Sequence, residues 1–159
     1  MNQAPADYII YKGKAAIQFT LKPGKPSSRR TERGEYVGTE KGCIFIAGAN
    51  ARGLRDYDWD HKVTIGLNEH EVGKILHALK GKEQKFYHDT NKGTDREGEM
   101  VKNLSISPSN DQKKLFINLS QTIKGVETKI NGVPIEPEEA ETLHALLCAA
   151  IPRILGWII

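Results

Sequence analysis

With two cysteines among 159 residues, the chain has no material for a disulfide framework. Cys43 and Cys148 each stand among apolar neighbours and read as small buried hydrophobes. No apolar run approaches the ~20 residues a membrane-spanning helix needs, so no membrane role is expected. The first residues hold neither an apolar signal core nor an Arg-rich transit pattern. The triplets Asn103-Leu104-Ser105 and Asn118-Leu119-Ser120 are therefore not expected to carry glycans.

Catalytic signatures are missing as well. There is no phosphate-binding Walker loop, no dinucleotide fingerprint, and no cluster of acids able to hold two metal ions. Asp56-Tyr57-Asp58-Trp59-Asp60 begins like a calcium loop. It fails where His61 replaces the turn glycine and Leu67 replaces the closing glutamate. His70 and His77 lack a third metal ligand. His88-Asp89 could be a base with its orienting acid, but no nucleophile accompanies it, and a structural hydrogen bond at a strand end is the simpler reading. The expectation is a protein that is not an enzyme and uses no metal or cofactor.

Charge is unevenly distributed. The net charge is only +3, yet residues 12–33 hold seven bases (Lys12, Lys14, Lys22, Lys25, Arg29, Arg30 and Arg33) against one acid, Glu32. Residues 136–141 hold four acids and no base. Basic charge gathered near the start suits an acidic partner such as nucleic acid. Within that region, residues 11–22 alternate. Ile17, Phe19 and Leu21 point one way; Lys12, Lys14, Ala16, Gln18, Thr20 and Lys22 point the other. Such a strand has one face on a core and one in water. Its wet face suits a polyanion, and a lysine-protected edge strand is the other reading.

Four strands are expected over 9–21, 35–39, 43–47 and 59–67, with a loop at 48–53. Asn68 and Glu71 then form a capping box for a helix that buries Val72, Ile75, Leu76 and Leu79, and Gly81 stops it. Four more strands follow over 84–88, 101–107, 114–122 and 126–130, with a turn at Asn131-Gly132. Pro137 opens a second, more apolar helix that Pro152 should kink or break. The order is ββββα twice: an α+β fold of two antiparallel four-stranded sheets with a helix after each, in one domain spanning 1–159. The apolar second helix is read either as packed on another subunit or as completing the monomer core.

Several short motifs occur in a fixed order: Tyr11-Lys-Gly-Lys-Ala-Ala16, Tyr57-Asp58-Trp59, Glu71-Val72-Gly73, Phe86-Tyr87-His88-Asp89, Asp95-Arg-Glu-Gly98 with Val101–Leu104, Asn118-Leu119-Ser120, Pro134-Ile135, and Pro152 with Leu155-Gly156-Trp157. In this order they resemble the Whirly family of single-stranded-DNA-binding proteins over nearly the whole chain. The resemblance implies the same ββββα arrangement, a homotetramer with central helices, and binding of single-stranded DNA with little sequence preference along the sheets and between protomers. Its service would lie in DNA repair, recombination, replication or transcription regulation. An RNA-binding protein of the same fold and a non-catalytic oligomeric assembly protein are the alternatives. Plant members carry an organelle transit peptide and a C-terminal tail, and neither is evident here. A bacterial or phage relative in the cytoplasm is thus expected, or else a mature fragment from an organelle matrix.

Single strands bind through cations for phosphates and aromatic faces for bases. The candidate contacts are Lys12, Lys14, Gln18, Tyr57, Phe116 and Asn118, with Lys102 as phosphate support. Phe116 is an aromatic out of phase with inward Leu115, Ile117 and Leu119, and is read as a stacking platform or as packing against a loop or subunit. Asn103, Asn118 and Ser120 could bond bases or sugars, or be plain exposed polar residues. Trp59, on the side of Val63 and Ile65, is read as core.

Overall fold

The strand expected over 9–21 is a hairpin. In the computed structural model, which describes residues 6–26, 30–34 and 39–157, β1 (Tyr8–Tyr11) pairs antiparallel with β2 (Ala15–Lys22). The Lys12 amide closes the turn by donating to the Ala15 carbonyl at 2.9 Å. The turn leaves the alternation on either side undisturbed, so periodicity alone reads one long strand. Lys12 and Lys14 therefore lie in a turn, not on the wet face of a strand.

β2 pairs with β5 (Cys43–Gly53), whose other side carries β7 (Val63–Leu67). These four strands, β1, β2, β5 and β7, form the first sheet, and the two-residue β6 (Asp56–Tyr57) pairs with the far end of β5. Of the strand expected over 35–39, residues 35–38 lie outside the described residues. β4 (Thr39–Glu40) pairs with β3 (Lys25–Pro26) as a separate ribbon. The expected loop over 48–53 is strand. Gly48 stands where packing is tight: a Cβ there would lie 3.1 Å from both Ile130 and Ile17 side-chain atoms. The expected strand over 59–67 begins instead with a 3-10 turn, Trp59–His61, and Trp59 is only half-buried.

α1 (Glu69–Ala78) starts at the expected capping box and buries Val72, Ile75 and Ala78. Gly81, at φ +96°, takes the left-handed conformation that ends the segment. The second sheet runs β11–β10–β9–β8, with β8 (Gln84–Asp89), β9 (Met100–Pro108), β10 (Leu115–Ile123) and β11 (Val126–Ile135). β11 does not turn at Asn131-Gly132. The pairing with β10 shifts there, between Ile117 and Leu119, and the strand continues past a bulge with Gly132 at φ +61°. α2 (Pro137–Ile154) opens at Pro137 as expected and runs through Pro152. Only two more residues follow Pro152 in the helix, so the lost N–H costs a single bond in the last turn, whose carbonyls accept from the amides of Gly24, Gly42 and Trp157.

The inner faces of both sheets and one side of each helix share one apolar cluster, from Ile17 and Ile65 to Ile117, Ile75 and Leu143. Cys43 is half-buried, and Cys148 is exposed, contrary to expectation. α2 carries apolar residues around more than one side, so its sequence does not choose which side is covered. Leu143, Leu147, Ala150 and Ile154 face the core, while Ala145, Leu146, Cys148 and Ala149 face outward.

Candidate nucleic-acid interface

Residues directly opposite in an antiparallel pair share a face. One rung across the second sheet therefore presents Tyr87, Asn103, Ser120 and Lys129 outward. The next presents Lys85, Ser105 and Asn118, and a third Ser107, Phe116 and Pro134. The inward alternates are Phe86, Leu104, Ile106, Leu115, Ile117 and Leu119, all buried. The outer face thus combines lysines, aromatic rings and short amides. Asp89 and Glu127 stand together in a rung at one end, where Glu127 pairs with Lys129 at 3.1 Å, and Glu83, just before β8, pairs with Lys85 at 3.7 Å.

A depression of about 240 Å³ lies on this face between Lys85 and Lys129, lined by Asn103, Asn118, Ser120 and Asn131. Asn118 is oriented from two sides: its Nδ2 donates to Ser105 Oγ at 3.3 Å, and its Oδ1 accepts from the Gly132 amide at 2.7 Å. Phe116 is half-buried, with the Lys114 ammonium 5.5 Å from its ring centre. Tyr87 is 62% exposed.

The β1–β2 turn borders the same region. Residues 12–15 face the bulged residues 131–134 of β11 across a narrow groove. Three contacts hold the turn. The Tyr57 hydroxyl donates to the Lys12 carbonyl at 2.6 Å, the Ala51 amide donates to the Lys14 carbonyl at 2.9 Å, and the Lys12 ammonium pairs with Glu139 in the first turns of α2. Tyr11 packs its ring 5.6 Å from that of Tyr57. Asn50 Nδ2 donates to the Lys129 carbonyl at 2.9 Å, tying the first sheet to the second. Lys12 is thus engaged within the fold, while Lys14 is exposed.

Of the expected contacts, Lys14, Phe116 and Asn118 border the outer face of the second sheet. Tyr57 and Lys12 brace the turn. Gln18 lies on the outer face of the first sheet and donates to Asp7. Lys102 lies on the inner side with Leu104 and Ile106, and its ammonium donates to the Thr64 carbonyl of the first sheet at 2.6 Å. Burial pushes its pKa below the usual lysine value. Lys85, Tyr87 and Lys129 were missed. Alternation about inward Phe86 and inward Ile130 would have placed all three outward.

The His88-Asp89 pair does not form. His88 Nε2 meets Glu71 of the α1 capping box at 2.6 Å, and Asp89 accepts from the amides of Asn91 and Gly98. Among the described residues, no three His, Cys, Asp or Glu side chains gather as metal ligands.

The Whirly transcription factor family profile matches residues 10–146. The chain belongs to the Whirly family. This Whirly chain is 34% identical over 152 residues to the chloroplastic single-stranded DNA-binding protein WHY1 of Solanum tuberosum, covering 94% of the chain and 54% of that protein. It is 30% identical over 155 residues to the mitochondrial single-stranded DNA-binding protein WHY2 of Arabidopsis thaliana, covering 96% and 63%. The chain thus spans little more than half the length of these curated relatives. Its fold matches the crystal structure of WHY3 from Arabidopsis thaliana with a TM-score of 0.85 at 30% identity, over 99% of this chain and 92% of that one. It matches the plant transcriptional regulator PBF-2 at 0.86 and 31%, over 99% and 86%.

Proposed function

We propose that this Whirly chain binds single-stranded DNA with little sequence preference, through the outer face of its second sheet and the groove beside the β1–β2 turn. The observation that carries this reading is the outer face itself. It places the cations Lys85 and Lys129 and the rings of Tyr87 and Phe116 around a row of asparagine and serine side chains, the two lysines held in exposed ion pairs with Glu83 and Glu127 that a phosphate can replace. Cations serve phosphates and rings serve bases, and neither reads sequence. The names of the relatives, single-stranded DNA-binding proteins, support the same reading. The exposed apolar side of α2 supports a homotetramer built through its helices, and regulation of transcription is the role the family description favours. The relatives are chloroplast and mitochondrial proteins, which favours an organelle matrix over the bacterial or phage cytoplasm.

The test is fluorescence anisotropy of a labelled single-stranded DNA, with duplex DNA and RNA as competitors, at two salt concentrations. Salt-sensitive binding that duplex does not displace supports the proposal. Equal displacement by RNA would widen the ligand class. No binding at low salt overturns the proposal and leaves the assembly reading.

A further inference from the structure

A second basin, of about 450 Å³, opens where the end of α1, the β9–β10 turn and the start of α2 meet. Its floor is apolar, made of Leu79, Pro108, Leu115 and Ala140, and its rim carries Lys80, Lys113, Lys114 and His144 against one acid, Glu141. The nearby Asp111 carboxylate is turned into its own loop, accepting from Ser109 Oγ and the Lys113 amide. Lys80 and Lys113 are exposed and take part in no ion pair among the described residues. Lys114 belongs to two places at once: it lines this basin, and its ammonium lies over the outward ring of Phe116. The outer face of the second sheet therefore runs into the basin through Lys114, with Asp111 close enough to that lysine to feel its charge.

We infer that the basin is an extension site for the same strand of nucleic acid. A strand stacked on Phe116 continues past Lys114, sets a base on the apolar floor, and lays its next phosphates against Lys113 and Lys80. This rests on the proposed binding of single-stranded DNA and adds its path. The alternation of apolar floor and cationic rim matches the alternation of base and phosphate, which favours a strand over an acidic peptide.

The test is a length series of labelled oligothymidylates, bound to the full chain and to the double variant Lys80→Gln/Lys113→Gln, with salt slopes at each length. The expected result is unchanged affinity and slope for the shortest oligomer that binds. For longer oligomers, the variant should lose the gain in affinity and flatten the slope by about 1.4, twice the single-strand value of about 0.7 per phosphate. Lys80→Arg/Lys113→Arg should restore both. Equal behaviour of wild type and variant at every length overturns the extension and leaves the primary site standing. An equal loss at every length also overturns it, since the lysines would then belong to that primary site. Binding of labelled oligoglutamate that the variant abolishes, with no change in the DNA series, would assign the basin to acidic peptides instead. Failure of wild-type protein to bind any oligomer would strike the proposed function itself.

Discussion

The amide of Gly132 donates to Oδ1 of Asn118 at 2.7 Å, joining the bulge of β11 to the outer face of β10. The contact sets the register on one side of the bulge and fixes the direction of the Asn118 amide on the other. Asn118→Ala removes this bond and the weaker one to Ser105. It should lower stability by about 1 kcal/mol, the net value of an ordinary hydrogen bond. Asn118→Asp keeps the acceptor and should recover most of that stability, while its added negative charge weakens DNA binding. Urea titration and anisotropy on both variants check the two effects.

Lys12 and Lys14 should separate. Lys14 is exposed beside the groove, so Lys14→Ala should weaken binding across sequences and flatten the salt slope by about 0.7. Lys12 is paired with Glu139, so Lys12→Ala should leave the slope nearly unchanged and lower the melting temperature. A flattened slope for Lys12→Ala would show that its ammonium leaves Glu139 for the DNA.

Lys102 contributes a pH effect of definite sign. Burial holds its folded pKa below the unfolded value. Between those two values the folded protein binds fewer protons than the unfolded chain, so stability gains with rising pH. The stability of wild type relative to Lys102→Met should therefore increase as pH climbs from neutral into the alkaline range. Denaturant titrations of both proteins across that range check it. Because its ammonium is directed to Thr64, Lys102→Met should not change the salt slope of binding.

Tyr87 offers a ring with little structural duty. Tyr87→Ala should cost about 1–3 kcal/mol of binding, the usual value for one stacked base, with stability nearly unchanged. Phe116→Ala should cost a similar amount of binding and some stability, because that ring is half-buried. Anisotropy paired with thermal melts separates the two.

Much of the fold could be read from residue types. Asn68 and Glu71 announce α1, and the alternation of Leu115, Ile117 and Leu119 assigns both faces of β10. Errors arose where tertiary packing overruled local signals. Gly48 and its small neighbours look like a loop, yet pair as a strand with β2, and Gly48 itself is small because Ile17 and Ile130 leave no space for a side chain. Asn131-Gly132 looks like a hairpin turn, but the side chain of Asn118 captures it as a bulge. The residues of the candidate interface were visible only in part. Lysines advertise charge, but nothing local says that Lys12 will meet Glu139, 127 residues away, or that Lys102 will point inward to Thr64.

Bound DNA is expected on the outer face of the second sheet. Photo-crosslinking with an oligomer carrying 5-bromodeoxyuridine, followed by peptide mapping, tests it most directly. Crosslinks are expected at Tyr87 and Phe116, lost when excess unlabelled single strand is present. Crosslinks missing from both rings and confined to β7 or to the exposed side of α2 around Leu146 would contradict it.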